Sequence, residues 1–391
     1  MKPRGRRQNP PASSHVAIRR ALLAWFRAHA RALPWRETRD PYAIWVSEVM
    51  LQQTQIATVI PYYQHFLAAF QTVRDLAKAP LERVLELWSG LGYYRRARHL
   101  HQAAQLLMTK FAGRFPENYA SLRALPGVGD YTARAVLSIA FDQPYAALDG
   151  NVARVVARLF ALRGNLHQPE FRRTVETELA GILSRRRAGD FNQALMELGQ
   201  TLCLPRGPRC SACPLENGCR GFRSGDPEAF PLLRPRRATE SHYLAVAFLR
   251  RGTRVAMVRG LEEGLLDDLW NFPAAFGLSP AEALERLREK LHRLTRASFS
   301  LGEPVSEFRH RITFRNIHGR VYPLESFRSF ESTLPSPPGG KGDGGEGGAR
   351  LKRKSHFKTA PQHGALRWFE LAHLPQAAIS QLARKIVQEI P

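Results

Sequence analysis

The sequence of 391 residues contains only four cysteines, and all of them lie between positions 203 and 219. A disulfide-stabilised extracellular protein would spread its cysteines along the chain, so this clustering favours a reducing compartment and one metal site. No uncharged apolar run approaches the ~20 residues of a membrane span. Residues 1–14 are basic and lack the apolar segment of a secretory signal. We therefore expect no membrane partner and interpret residues 1–14 as a disordered basic arm.

Acidic residues are also scarce, because 34 Asp and Glu stand against 58 Lys and Arg, leaving a formal net charge of +24. A surface this basic attracts polyanions, and the abundant arginines suit phosphate groups. Nucleic acid is favoured over an anionic membrane, since no basic amphipathic anchor is evident. The chain length predicts two or three domains.

The hydrophobic periodicity changes along the chain. Residues 15–222 carry apolar positions at helical spacing, as in Val152 to Phe160, which predicts an almost entirely helical region. Residues 223–239 are dominated by Arg, Pro, Gly and Ser and are interpreted as a linker. Strand-like and helical segments follow in residues 240–391, which predicts a separate α+β domain. Its Pro- and Gly-rich stretch at 335–355 is interpreted as a disordered insertion.

The cysteines have the spacing of a metal site, Cys203-x6-Cys210-x2-Cys213-x5-Cys219. Four thiolates in a tetrahedral arrangement suit either a zinc ion or an iron–sulfur cluster. The spacing alone does not choose between these two metals.

The segment from Leu125 to Gly129 lies between two predicted helices and has the form of a helix-hairpin-helix. Gly127 and Gly129 allow the backbone to approach a ligand closely, and the N–H groups that open the next helix can bind a phosphate. Such a contact reads the nucleic-acid backbone rather than its sequence. The signal is weak alone, but the net charge and the cysteine cluster strengthen it.

The hairpin, Asp149 further along the chain and the four cysteines together resemble the endonuclease III superfamily of DNA base-excision glycosylases. Four longer motifs are similar to the MutY-type adenine DNA glycosylases of that superfamily: Leu33-Pro34-Trp35-Arg36, Ser47 to Gln55, Gly90-Leu91-Gly92-Tyr93-Tyr94 and Leu148 to Val152. The resemblance implies a mostly α helix-hairpin-helix glycosylase fold with a [4Fe–4S] cluster on Cys203, Cys210, Cys213 and Cys219, followed by an α+β Nudix-like domain. It also implies DNA repair by excision of adenine mispaired with 8-oxoguanine or guanine in double-stranded DNA.

Two carboxylates suit this chemistry, because the leaving base needs a proton and the oxocarbenium-like sugar needs a negative charge. Glu48 lies on a largely apolar helix, and burial would raise its pKa and keep it protonated as the general acid. Asp149 would stay ionised at a helix N-terminus and stabilise the sugar cation. Asn151 and Tyr131 would orient the carboxylate, the sugar and the water. The structural alternatives are an exposed helix charge at Glu48 and a plain N-cap at Asp149.

Tyr131 also distinguishes between the subfamilies. The resemblance places it where bifunctional glycosylase/lyases carry the lysine that forms a Schiff base with the sugar. A phenol cannot form an imine. We therefore expect a monofunctional enzyme that uses water as the final nucleophile and leaves an abasic site.

The target base lies inside a duplex and must be flipped out of it. By resemblance, Gln53 and Tyr93 fill the gap that the base leaves, with Leu91 nearby. The resemblance assigns three further residues more loosely to the adenine pocket: Trp35, Gln193 and Glu197. The last two, four residues apart on one helix, could instead form a surface hydrogen bond.

Residues 265–273 resemble the turn of the Nudix-like domain that ends MutY proteins. The following helix lacks the Glu-rich box of a Nudix hydrolase, so no phosphohydrolase activity is expected. In MutY relatives a Phe-Ser-His loop reads 8-oxoguanine, and the nearest match here ends in Thr313 and Phe314. Thr313 keeps the hydroxyl, whereas Phe314 replaces the His, which leaves open how strongly 8-oxoguanine is preferred over guanine.

Three alternatives remain: a thymine glycosylase of the same fold, a non-catalytic DNA-binding protein and a Nudix-type hydrolase. Glu48 suits protonation of a purine nitrogen, which disfavours the first. The presence of both Glu48 and Asp149 disfavours the second, and the missing metal box disfavours the third. We expect a monomer in the cytoplasm, associated with the nucleoid, on the assumption of a prokaryotic source.

Overall fold

The computed structural model describes residues 12–232, 238–261, 269–295, 298–312, 314–328, 366–376 and 379–389. Thr313 and the predicted insertion at 335–355 lie outside the described residues. The chain divides into two units, Met1–Arg236 and Arg237–Pro391, and the boundary falls within the predicted linker. Helix α1 begins at Ala12, so its first turn overlaps the end of the predicted arm.

The first unit is built from α-helices joined by short loops and 3₁₀ turns. No described helix is both long and apolar enough to cross a membrane. The helices are α1 (Ala12–His29), α2 (Pro41–Leu51), α3 (Ile56–Ala69), α4 (Val73–Lys78), α5 (Leu81–Leu87), α6 (Arg95–Phe111), α7 (Tyr119–Arg123), α8 (Asp130–Phe141), α9 (Gly150–Phe160), α10 (Pro169–Ile182), α11 (Ala188–Thr201) and α12 (Arg220–Arg223).

Helix α2 lies in the centre of this unit. Asp40 caps it by accepting from the amides of Tyr42 and Ala43 at 3.1 and 3.3 Å, and Pro41 occupies the first helical position. Every residue from Tyr42 to Met50 is buried. A helix enclosed on all sides has no solvent-exposed face, so any polar residue in it is buried too.

The predicted hairpin is formed by α7, the turn at residues 124–129 and α8. Gly127 has φ +74°, and a Cβ at this position would lie 2.6 Å from Cβ of His99 on α6. Glycine is therefore required both by the left-handed backbone and by the close approach of α6. The turn directs the N-terminus of α8 toward α2 and α11, against which α8 packs.

The described residues of the second unit form two sheets and two α-helices. In the first sheet β1 pairs parallel to β8 and antiparallel to β5, while β6 and β7 pair antiparallel to β8; in the second, β2, β4 and β9 each pair with β3. The elements are β1 (Glu240–Phe248), β2 (Arg250–Arg251), β3 (Arg254–Arg259), β4 (Trp270–Asn271), β5 (Ala274–Gly277), α13 (Pro280–Thr295), β6 (Ser298–Leu301), β7 (Ser306–Ile312), β8 (Arg315–Arg328), β9 (Arg367–Glu370) and α14 (Gln381–Glu389).

Alternate residues of β1 supply the two hydrophobic cores of this unit. Leu244 and Val246 pack on the side of α14, whereas Ala245 and Ala247 pack on the side of α13. This alternation is the two-residue period of a strand that is buried on both faces. The expected fold class, a mostly helical region followed by an α+β domain, is confirmed.

Candidate active site

An open cavity of about 1050 Å³ in the first unit gathers most of the predicted site residues. It lies where α2, the hairpin, the start of α9 and α11 meet. The predicted residues in its lining are Trp35, Glu48, Gln53, Gly127, Gly129, Tyr131, Asp149, Asn151 and Gln193.

Glu48 is a buried acid in the lining of this cavity, and only 5% of it is exposed. Burial raises the pKa of its carboxyl to about 7, a hydrogen bond with Tyr131 opposes this rise, and the nearby Asp149 adds to it. A carboxyl with this pKa is partly protonated at neutral pH. Glu48 can therefore deliver a proton to a group in the cavity.

Asp149 is the N-cap of α9. Its Oδ1 accepts a hydrogen bond of 2.6 Å from the amide of Val152, and its Oδ2 accepts one of 3.1 Å from Nδ2 of Asn151. Both bonds fix the orientation of the carboxyl group at the positive end of the helix dipole. The cavity therefore places a second carboxyl group, fixed in orientation, near a protonatable acid.

A buried arginine that sequence reasoning missed fixes the amide of Asn151. Nη2 of Arg154 donates to Oδ1 of Asn151 at 2.9 Å and to the carbonyl of Gly199 at 2.7 Å, while its Nε donates to the carbonyl of Cys203 at 2.7 Å. The Oδ1 of Asn151 is thus occupied as an acceptor, which turns its Nδ2 toward Asp149. Helical spacing places Arg154 opposite the apolar positions of α9, where a solvated charge is expected, so no local signal in the sequence points to this contact.

Asn192, which is fully buried on α11, forms hydrogen bonds with the segment that precedes Asp149. Its Nδ2 donates to Oγ of Ser138 and to the carbonyl of Tyr145, each at 2.8 Å, and its Oδ1 accepts from the amide of Ala147 at 3.2 Å. These bonds satisfy the backbone of an extended segment that belongs to no helix or sheet.

Tyr131 stands in the first turn of α8, with its hydroxyl 3.7 Å from Sδ of Met196. Burial, and then the nearby Glu48 and Asp149, hold the pKa of the phenol well above its usual value. The phenol is therefore neutral, and its hydroxyl can donate a hydrogen bond. No amine is available at this position for imine formation.

Glu197 lies behind the cavity wall and does not line it. Its carboxylate is 1% exposed and is ion-paired with Arg31 and Arg36, the latter at 2.7 Å. Burial alone would raise the pKa of Glu197, but hydrogen bonds from the two arginines bring it below its usual value. Both arginines do line the cavity. The surface hydrogen bond considered for Gln193 and Glu197 is wrong for a carboxylate this deeply buried.

The predicted gap-filling residues lie in two loops. Gln53 follows α2 with φ +58° and is exposed; Tyr93 follows α5 with φ +50° and is 48% exposed. Leu91 is 5% exposed and packs inside the loop. Gln53 and Tyr93 are therefore open to solvent, whereas Leu91 is enclosed.

All four cysteines line one small, almost entirely apolar cavity between α9, α11 and the 203–219 loop. Nη1 of Arg158 lies 3.5 Å from Sγ of Cys203, and Sγ of Cys219 lies 3.5 Å from the carbonyl of Arg158. In the part of the chain that the structure describes, no three His, Cys, Asp or Glu side chains converge on a point that could hold a single ion. The four thiols therefore share one enclosed space.

Comparison with known proteins agrees with the sequence motifs. The family model for the HhH-GPD superfamily base excision DNA repair protein matches residues 46–180. The human adenine DNA glycosylase is 36% identical over 75% of this chain, and the chain spans 63% of that protein. The mouse adenine DNA glycosylase is 35% identical, with 83% of this chain and 73% of that protein covered.

Among solved structures, a thermostable thymine-DNA glycosylase is 28% identical, covers 54% of this chain and 98% of its own, and gives a TM-score of 0.49. Because the matched relatives include mammalian proteins, the assumed prokaryotic source remains a prediction. The extent and identity of the mouse match show that this chain belongs to the adenine DNA glycosylase family, within the HhH-GPD superfamily of base excision repair proteins.

Proposed function

We propose that this protein is a monofunctional adenine DNA glycosylase, which excises adenine mispaired with 8-oxoguanine or guanine and leaves an abasic site. The observation that carries the proposal is the pairing, in one cavity, of a protonatable Glu48 with a fixed carboxylate at Asp149. The names of the human and mouse relatives support adenine as the base.

In the first step the bond between C1′ and N9 breaks, and its electron pair moves into the purine. Glu48 donates its proton to N7, which turns a poor leaving group into a neutral one. Asp149 stabilises the positive charge that develops on the sugar, because the amide of Val152 and the side chain of Asn151 hold its carboxylate in place.

In the second step a water molecule adds to C1′, and its proton returns to the carboxylate of Glu48. Tyr131 donates a hydrogen bond that stabilises Glu48 while it is ionised, which is the direction of its effect on the pKa. The products are free adenine and an abasic site on an unbroken strand. A phenol at position 131 supports this outcome, since it cannot form the imine that precedes strand cleavage.

The DNA would be held by its phosphates and probed by side chains. The turn at Gly127 and Gly129 and the N-terminus of α8 are placed to bind the backbone, and Gln53 and Tyr93 are placed to fill the gap left by the flipped base. Trp35 and Gln193 line the cavity into which the base would enter, and Glu197 would shape its wall through Arg31 and Arg36.

The cavity among Cys203, Cys210, Cys213 and Cys219 suits a [4Fe–4S] cluster. When bound, such a cluster would supply four iron–thiolate bonds that fix the 203–219 loop. The Arg154 side chain, which donates to the carbonyl of Cys203, would then be fixed as well.

The second unit is proposed to act as a Nudix-like domain that reads the base opposite the adenine. Phe314, beside the undescribed Thr313, would weaken hydrogen bonding to 8-oxoguanine relative to a His at that position. We further propose that the protein acts as a monomer in the cytoplasm, on the nucleoid if the source is prokaryotic.

The test is single-turnover release of the base from duplexes that contain A opposite 8-oxoguanine, A opposite G, or T opposite G. We expect release of adenine without strand nicking before alkali, and loss of release in Glu48→Gln and Asp149→Asn. The ratio of the first two rates measures the effect of Phe314. Release of thymine would overturn the substrate. Tight binding without release of any base, by a protein that holds its cluster, would overturn the enzymatic assignment.

A further inference from the structure

One arginine at the start of α6 bonds to the end of α2. Nη1 of Arg96 donates to the carbonyls of Val49 at 3.0 Å, Met50 at 2.8 Å and Gln52. The last carbonyls of an α-helix have no partner within the helix. A single guanidinium therefore satisfies the C-terminus of α2 immediately before Gln53.

The other side of the same guanidinium bonds to the loop that carries Tyr93. Nη2 donates to the carbonyls of Gly92 at 3.0 Å and Leu91 at 3.4 Å, and also to Oγ1 of Thr54 at 3.1 Å. Its carbon Cζ lies 5.3 Å from the ring centroid of Tyr93 and 5.4 Å from that of Trp88. Arg96 thus joins the 49–54 segment to the 91–93 segment, which are distant in sequence.

Both segments hold a non-glycine residue in the left-handed region, Gln53 at φ +58° and Tyr93 at φ +50°. Such conformations are sparsely populated and persist where the surroundings over-determine them. The two strained residues are also the two exposed ones, and both lie next to the Arg96 guanidinium. A lysine could not replace this contact, because its ammonium lacks the planar fork of donors.

We propose that Arg96 is a positioning residue that locks the Gln53 and Tyr93 loops into one rigid wedge, and that this wedge drives extrusion of the target base. The proposal rests on the proposed function, in which both side chains enter the duplex. Arg96 itself need not touch DNA, because its donors are directed at the protein backbone. Arg96 acts by keeping the side chains of Gln53 and Tyr93 at a fixed separation.

The experiment compares Arg96→Lys, Arg96→Met and the milder Thr54→Val, which removes one acceptor of the guanidinium. Arg83→Met is the matched control, since Arg83 is a half-exposed arginine on α5 that pairs with Glu86 at 3.1 Å. Hydrogen–deuterium exchange measures the amides at 50–55 and 90–94 in the free protein. The same substitutions in a Glu48→Gln background, with 2-aminopurine as the target base opposite G, measure extrusion by fluorescence without excision.

We expect faster exchange in both loops but not in α8, and a smaller fluorescence rise, for Lys and Met at position 96. Single-turnover release of adenine in the otherwise native protein should fall on the order of tenfold to a hundredfold, with the pH inflection of Glu48 retained. Thr54→Val should change exchange, fluorescence and release of adenine in the same direction but to a smaller extent. This variant still tests the proposal if either Arg96 variant misfolds.

Full activity in Arg96→Lys would overturn the proposal, because it would show that charge alone suffices. Unchanged exchange in both loops would also overturn it. If the parent protein releases no adenine, the proposed function fails, while the exchange measurement still decides whether Arg96 locks the loops.

Discussion

Burial of Glu48 links the acid to the stability of the fold. A Glu in an unfolded chain titrates near 4.3, whereas the pKa of Glu48 in the folded protein is about 7. Between these values the folded state keeps a proton that the unfolded state releases. The contribution of protonated Glu48 to the free energy of unfolding is therefore complete below pH 4 and is lost as the pH rises through 7. We expect Glu48→Gln to increase the free energy of unfolding at pH 8 by up to about 4 kcal/mol, and much less at pH 5.

Denaturant unfolding at the two pH values measures this difference. Glu170→Gln, which removes an exposed carboxylate at the start of α10, is the control. It should change the free energy of unfolding by the same amount at pH 5 and pH 8. An equal gain for Glu48→Gln at pH 5 and pH 8 would show that Glu48 does not titrate in this range.

Asp149 combines a structural and a chemical role that two substitutions separate. Asparagine keeps an oxygen that accepts from the amide of Val152 but removes the charge, whereas alanine removes both. We expect release of adenine to fall on the order of 10²–10³-fold in each variant. Only Asp149→Ala should also lose about 1 kcal/mol of stability through the missing cap. Parallel melting curves and single-turnover assays test this, and an active Asp149→Asn would remove charge stabilisation from the mechanism.

At the scale of elements, the packing of α11 against α9 positions Asn151. A Cβ at Gly199 would lie 2.8 Å from Cβ of Asn151 and 3.1 Å from its carbonyl oxygen. We expect Gly199→Ala to displace α9 by a few tenths of an ångström and to slow release of adenine about tenfold. Gly181→Ala on α10 is the matched control, since its Cβ meets only the imidazole of His15 at 3.3 Å. Equal rates for both variants would contradict the role of this close approach.

Local signals in the sequence predict these elements well. The cap at Asp149, the apolar spacing of α9 and the glycines of the hairpin all act within a few residues of the structure they determine. The partners of Glu197 could not be predicted in this way, because Arg31 and Arg36 precede it in the sequence by 166 and 161 residues. Arg96 was missed because the basic run around it gives no sign of which guanidinium turns inward.

At the scale of the whole molecule, the net charge of +24 favours the proposed binding of DNA through its phosphates. Each phosphate contact releases counterions, so the logarithm of the affinity falls linearly with the logarithm of the salt concentration. We expect a loss of roughly 10³-fold or more between 50 and 200 mM salt. Fluorescence anisotropy should give the same slope for mispaired and fully paired duplexes, because this contribution does not depend on sequence. Clearly different slopes would show that the mispair recruits additional phosphate contacts.

The contact between the ends of α1 and α11 has a consequence for biosynthesis. Arg31 follows α1, yet its partners lie on α11. It forms an ion pair with Glu197, and its Nη2 donates to Oε1 of Gln200 at 2.6 Å. A ribosome that adds 5–20 residues per second makes α11 roughly 10–30 s after α1. During that interval the apolar side of α1 has no α11 to pack on. The nascent chain therefore exposes the apolar face of α1 until translation nears the cysteine loop. During this interval a chaperone would bind that face.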